Sequence, residues 1–220
     1  MIYLLRHGET VWNRAGRFQG QGDAPLTAEG VAQARAMGRR LAQEELAGAR
    51  LISSPLYRAW QSAVLVAEAL SLDPHTIEFE PRLMEVGFGE WEGLTREEIK
   101  ARAHGEWRAR KADVWNHVPP GGESFAQTEV RAEDWLNAHR DREPLIVLSH
   151  GLTSRVLRGL YLGVRGPDVL GYSVRQTEFY RLSGGRVDTL TTELAEAGAP
   201  QADAPYAART TGVASPASGG

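Results

Sequence analysis

Short apolar runs alternate along this chain with longer amphipathic stretches, and this constrains the fold more than any other feature of the sequence. Strand and helix units in series build an α/β sheet. Residues 2–5, 51–52 and 145–148 are the clearest short runs, each followed by a helical pattern after a few small or polar residues. Helices are predicted over 27–46, with Thr27 as N-cap, over 57–70 with Pro55 near the first turn, over 124–139, and from Gly151 to about Leu162. Asp73-Pro74 marks a turn, 76–79 a strand, and 172–182 and 187–190 two further strands joined through Ser183-Gly184-Gly185. After about Ala195 the composition turns to Ala, Gly, Pro, Ser and Thr without apolar periodicity, so a disordered tail is expected over 195–220.

Composition removes several classes of chemistry. The chain has no cysteine, which excludes disulfides, thiolate nucleophiles and cysteine-ligated metal centres. Its 25 Lys plus Arg nearly balance 28 Asp plus Glu, so no broad field favours nucleic acid or an anionic membrane. Arg6 and His7 interrupt the first apolar run, no other run approaches the roughly 20 residues of a membrane span, and a cytoplasmic protein is expected. His75, His104, His117 and His139 fit no motif and no metal-ligand spacing; they are read as surface residues, and no metal is expected.

Leu5-Arg6-His7-Gly8-Glu9-Thr10 puts a guanidinium and an imidazole at the end of a strand, beside a glycine that lets backbone approach a ligand. Arg offers a planar fork that matches phosphate oxygens, and neutral His offers a nucleophilic nitrogen. Taken alone, the hexapeptide reads equally well as a surface Arg and a hydrogen-bonded His. Ser149-His150-Gly151 repeats the layout after the run 145–148. Loops at the carboxyl ends of strands line the ligand crevice in open α/β sheets, so both histidines are expected to face one pocket.

Read together in this order, that hexapeptide, Asn13, Ser53-Ser54-Pro55-Leu56-Tyr57-Arg58-Ala59, Leu83-Met84-Glu85 and Ser149-His150-Gly151 resemble the histidine phosphatase superfamily, which includes the cofactor-dependent phosphoglycerate mutases. The resemblance implies a three-layer αβα sandwich with a mostly parallel central sheet, in one domain over 1–194 with a cap-like insertion at about 86–122. It also implies that His7 takes the phosphoryl group and that Arg6, Arg58 and His150 surround the phosphate. Asn13, Gln19, Gly20, Gly151 and Leu152 would border the substrate, and Glu85 would protonate the leaving alkoxide and later draw a proton from water. The surrounding positive charge is expected to hold His7 neutral.

Mutases of this family carry extra basic residues on a longer insertion after the acid. Here only 37 residues lie between Glu85 and Glu123, and Arg96, Lys100, Arg102, Arg108, Arg110 and Lys111 look like a solvated helical surface. A phosphatase acting on a small phosphorylated metabolite without a cofactor is therefore preferred to a mutase. A non-catalytic phospholigand-binding protein is less favoured, because His7 and Glu85 are both present. Trp12, Phe18, Phe88 and Trp91 hint at a pocket for an apolar leaving group. Gln176 or Arg175 could contact the substrate from the last strands, and an exposed apolar face could support a homodimer.

Overall fold

The computed structural model describes residues 1–139 and 144–196. In chain order the elements are β1 (Ile2–Arg6), α1 (Val11–Arg14), α2 (Ala28–Leu41), β2 (Arg50–Ser53), α3 (Tyr57–Ala69), β3 (Glu78–Phe79), α4 (Arg96–Arg102), α5 (His104–Ala112), α6 (Phe125–His139), β4 (Leu145–Ser149), α7 (Gly151–Leu162), β5 (Glu178–Ser183), β6 (Arg186–Thr191) and α8 (Glu193–Glu196). The six strands form one sheet in the order β3-β2-β4-β1-β5-β6. The first four of these are mutually parallel, while at one edge β5 runs antiparallel to β1 and β6 antiparallel to β5.

Strand periodicity explains the three layers. Successive side chains point to opposite faces, so Ile2 and Leu4 pack with Trp135 and Leu136 of α6 and Val156, Leu157 and Leu160 of α7. Tyr3 and Leu5 face the other way, onto Met37 and Leu41 of α2 and Val66 and Ala67 of α3. Both faces are buried, which is why β1 and β4 read as continuous apolar runs rather than alternating ones. Each fully buried Leu or Val on these faces contributes about 1.5–3 kcal/mol of transfer free energy.

Register aligns the functional ends. Arg6 pairs with Ser149 across β1 and β4, and Ser53 of β2 pairs with Leu148 of β4. Two further backbone bonds, His7 N–H to Ser149 O at 3.1 Å and Ser54 N–H to Leu148 O at 2.9 Å, carry the pairing one residue past each strand. Three loops therefore leave the sheet side by side.

Four expectations are corrected by the structure. The helix predicted over 27–46 stops at Leu41, and Glu44 beyond it is held by Arg40, Arg181 and the Tyr3 hydroxyl. The strand predicted over 76–79 shrinks to Glu78–Phe79, because Pro74–Thr76 closes a 3-10 turn capped by Asp73. Residues 172–177 lie outside β5: the Tyr172, Ser173 and Val174 carbonyls accept from Arg155, Arg158 and Arg6 respectively instead of from a neighbouring strand. The expected disordered tail begins at 195, yet α8 runs to Glu196, and residues 197–220 lie outside the described residues.

The segment 86–122 folds onto the α6–α7 face. Phe88, Trp91, Ile99 and Trp115 are buried in the same cluster as Phe18, Phe125 and Trp135. Phe18, Phe88 and Trp91 thus form core and do not line a leaving-group pocket; Phe18 packs edge-on against Phe88 and Trp91. Arg110 is likewise no solvated residue: it is 3% exposed, with its guanidinium over the rings of Phe125 and Phe88. His117 stacks on Trp91 and His139 on Trp135, both half-buried rather than on the open surface.

Candidate active site

His7 follows the carboxyl end of β1 and is buried. Its Nδ1 lies 2.7 Å from the Gly8 carbonyl, which can only accept, so the ring proton sits on Nδ1 and Nε2 keeps its lone pair. Arg58 Nε donates to that Nε2 at 3.3 Å. Burial is the main reason the imidazole is held well below the usual histidine range, with the Arg58 and Arg6 charges second; charge alone is not the leading cause.

A close backbone approach places this loop. A Cβ on Gly8 would stand 2.1 Å from the Gly30 carbonyl oxygen, and one on Gly30 would stand 2.1 Å from the Glu9 carbonyl oxygen. The loop after β1 thus rests directly on the first turn of α2, which Thr27 caps by accepting from the Gly30 N–H at 3.0 Å. Gly8 N–H donates to Ser62 of α3, fixing the loop from a third side.

Arg58 opens α3 with its side chain pointing into the centre and is fully buried. Its guanidinium donates to the carbonyls of Gly22 (2.9 Å) and Gly20 (2.6 Å) and to Asp23 (3.0 Å), so Gly20 meets the site through its carbonyl. Asp23 also accepts from the Tyr57 N–H at the start of α3. Glu92 gathers the Gln21, Gly22 and Phe88 amides onto one carboxylate and so ties this loop to the insertion.

His150 lies against His7, ring centroids 5.1 Å apart. Its Nε2 meets the Ser54 hydroxyl at 2.7 Å, and its Nδ1 is buried without a hydrogen-bond partner among the described residues. Burial first, and the neighbouring Arg58 charge second, hold this ring, too, well below the ordinary range. Arg6 donates to the Val174 carbonyl at 2.6 Å, while its Nε is buried with no hydrogen-bond partner among the described residues. Asn13 and Gln19 meet each other and Thr10: Gln19 Oε1 accepts from the Thr10 hydroxyl and Asn13 Nδ2. Gln176 reaches the His7 carbonyl (3.4 Å) and Asn13 (3.3 Å) with its amide, whereas Arg175 is exposed.

Glu85 is buried in the loop that packs across the ends of β4 and α7. Its Oε2 accepts from the Leu152 N–H and its Oε1 from the Thr153 and Val86 N–H groups. Leu152 therefore gives its amide to the carboxylate, and its side chain belongs to the core. Gly151 opens α7 just before it. The Glu85 loop is gripped carbonyl by carbonyl: Arg131 on Arg82, Ser149 on Leu83, Thr153 on Met84.

Sequence reasoning had assigned no role to Ser54, Asp23, Thr153, Glu92 or Arg131. Ser54 lies inside a motif that was read for its arginine and could have been found there. Each of the others has a partner 35 or more residues away, which leaves no local signal. Among the described residues no group of three or more His, Asp or Glu is arranged to hold a metal ion, and no helix is long and apolar enough to cross a membrane.

The resulting cluster sets a nucleophilic imidazole nitrogen beside two guanidinium groups and a second imidazole, with a buried carboxylate clamped nearby. Comparison with known proteins points the same way. The family model described as histidine phosphatase superfamily (branch 1) matches residues 2–197. A protein named "Probable phosphoglycerate mutase GpmB" from Enterobacter sp. (strain 638) is 34% identical over 191 residues, covering 85% of this chain and 84% of that one. "Phosphoserine phosphatase 1" from Hydrogenobacter thermophilus is 32% identical over 187 residues, covering 80% and 86%. Among solved structures, a mycobacterial glucosyl-3-phosphoglycerate phosphatase in complex with VO3 superposes with a TM-score of 0.71 at 29% identity, covering 87% of this chain and 98% of that one.

Proposed function

This chain belongs to branch 1 of the histidine phosphatase superfamily, and from that premise we propose that it is a cytoplasmic, metal-independent phosphatase that hydrolyses phosphomonoesters of small metabolites. The reaction runs through a phosphohistidine on His7, with Glu85 as general acid and base. The observation that carries this reading is the geometry of His7: Nδ1 lies 2.7 Å from the Gly8 carbonyl, which calls for the ring proton there and leaves the Nε2 lone pair turned toward Arg58 Nε at 3.3 Å.

In the first step Nε2 attacks phosphorus, the bond from phosphorus to the ester oxygen breaks, and Glu85 gives that oxygen its proton. In the second step water attacks phosphorus, Glu85 takes the water proton, and the N–P bond breaks to release phosphate. Arg6, Arg58 and His150 stabilise the charge on the phosphoryl oxygens through both steps. Protein carbonyls and Ser54 orient these groups, and Arg58 Nε, which donates to the His7 Nε2 lone pair, passes to a phosphoryl oxygen as Nε2 attacks.

Relatives include proteins named as mutases and as phosphatases. The state of the insertion favours hydrolysis here. Arg110 is committed to the faces of Phe88 and Phe125, and Arg17, on the facing loop, to Glu98 and the Gly93 carbonyl. These cations thus serve packing rather than the retention of a second phosphate.

The test is phosphate release in EDTA from an aryl phosphate and from sugar and glycerate phosphates, for the parent chain and His7→Ala. In parallel, 3-phosphoglycerate isomerisation is followed with and without 2,3-bisphosphoglycerate. Release by the parent alone is expected. Isomerisation that depends on the bisphosphate with little release would replace phosphatase by mutase, and binding without turnover would remove catalysis altogether.

A further inference from the structure

Thr153 of α7 is fully buried and has one hydroxyl proton for two acceptors. Its Oγ1 lies 2.8 Å from the Met84 carbonyl and 3.2 Å from Glu85 Oε1. A carbonyl and a carboxylate oxygen both accept, and a single hydroxyl cannot donate fully to both. The backbone N–H of the same residue already donates to Oε1 at 3.2 Å, so the Thr153 side chain stays beside Glu85 whichever way its hydroxyl turns.

We propose that the Thr153 hydroxyl is a positioning residue for acid–base catalysis, a rotor that follows the proton on Glu85. This rests on the assignment of Glu85 as general acid. In the acid form, with the transferable proton on Oε2, Oε1 is a neutral acceptor and the hydroxyl donates to the closer Met84 carbonyl. When that proton passes to the leaving-group oxygen, Glu85 becomes a carboxylate, Oε1 becomes the stronger acceptor, and the hydroxyl turns to it. A charge-assisted hydrogen bond thereby forms as the proton leaves and reverts when water returns a proton in the second step. No heavy atom has to move. Because that bond strengthens along the reaction coordinate rather than in the bound substrate, it lowers the barrier to proton transfer.

A residue acting in this way matters in proportion to how much the leaving group needs a proton. The experiment compares kcat/KM, which reports on steps up to phosphohistidine formation, for an alkyl phosphate and for 2,4-dinitrophenyl phosphate, whose leaving group departs without protonation. The chains are the parent, Glu85→Gln, Thr153→Val and Thr153→Ser. Thr153→Val keeps size and the backbone amide but loses the hydroxyl. It is expected to lower the alkyl value about tenfold or more, the loss of one charge-assisted hydrogen bond, and to leave the dinitrophenyl value within about twofold. Thr153→Ser is expected to restore the alkyl value. Should Thr153→Val fail to fold, Thr153→Cys, with only a weak S–H donor, is measured by the same contrast.

Equal losses on both substrates would reduce Thr153 to a structural residue and overturn the proposal, as would no loss on either. If Glu85→Gln is selective for the alkyl ester while the Thr153 variant is not, only the rotor fails. If Glu85→Gln itself shows no selectivity, the acid assignment fails and the rotor with it.

Discussion

Replacing Gly8 by alanine tests whether the backbone seam under His7, the proposed nucleophile, sets its reactivity. The new methyl would sit 2.1 Å from the Gly30 carbonyl oxygen, with the Gly30 carbonyl carbon at 2.7 Å and its Cα at 2.8 Å. Ordinary contact begins at about 3.4 Å, so the two backbones must part by about 1.3 Å, and neither is a flexible side chain that can swing aside. Gly8 carries two further duties: its N–H holds Ser62 and its carbonyl holds the proton of His7 on Nδ1. Moving it loosens the bond that fixes the tautomer and turns Nε2 away from Arg58.

Displacement of a catalytic group by about 1 Å is enough to cost about a hundredfold in rate, whereas overpacking at one site costs about 1–3 kcal/mol of stability. Gly8→Ala is therefore expected to remain folded at 25 °C in urea titrations while kcat/KM for an aryl phosphate falls about a hundredfold. Adding Gly30→Ala crowds the same seam from the other side and should not restore activity. A folded Gly8→Ala enzyme with parental kcat/KM would refute the reasoning, because it would mean that the loop can shift without moving the imidazole.

Two other outcomes follow from the same geometry. His7 and His150 both stay neutral well below the ordinary histidine range, so between about pH 6.5 and their native values the unfolded chain binds protons that the native chain does not. Their stabilising contribution is full above pH 6.5 and falls with acidification, at about 1.4 kcal/mol per pH unit for each group, a window that the lowered carboxylates Glu78 and Glu80 do not share. Urea unfolding at pH 7.5, 6.5 and 5.5 should show this decline, shallower in His150→Gln; equal stability at all three would contradict it. Thr27→Ala removes both the cap on Gly30 and the tie from its hydroxyl to Glu9 at 2.7 Å, and should lower the urea-unfolding free energy by about 1–2 kcal/mol; an unchanged midpoint would show that solvent replaces the cap without loss.

The sheet and its helices were legible because burial on both faces writes itself into the sequence as runs and periods. Residues 2–5 and 145–148 could hardly be anything but inner strands, and Thr27 announced its helix by its side chain. Signals failed where long-range polar bonds overrode local preference. Nothing near Tyr172 tells the chain that three arginines, two on α7 and one at the end of β1, will take the carbonyls of residues 172–174 and keep them from the sheet. Arg110 reads as a surface cation until Phe88, near the start of the insertion, and Phe125, just past its end, close over it.

The same asymmetry runs through the active site. His7, Arg6, Arg58 and His150 stand immediately beyond strands or at a helix start, where the parallel register alone brings them together, so motif and strand order suffice to find them. The carboxylate is different. Glu85 sits just after a single 3-10 turn (Pro81–Leu83), and its position depends on donors from α6, β4 and α7 that reach across 49 or more residues to hold one carbonyl after another. A nucleophile can be supplied by a strand end, because its role needs only a lone pair pointed one way. The role proposed for Glu85, to give and later take a proton, needs it held in place in two charge states, and that requires partners able to serve both. Such partners come from whichever elements the fold brings near, so they are visible only once the chain has folded.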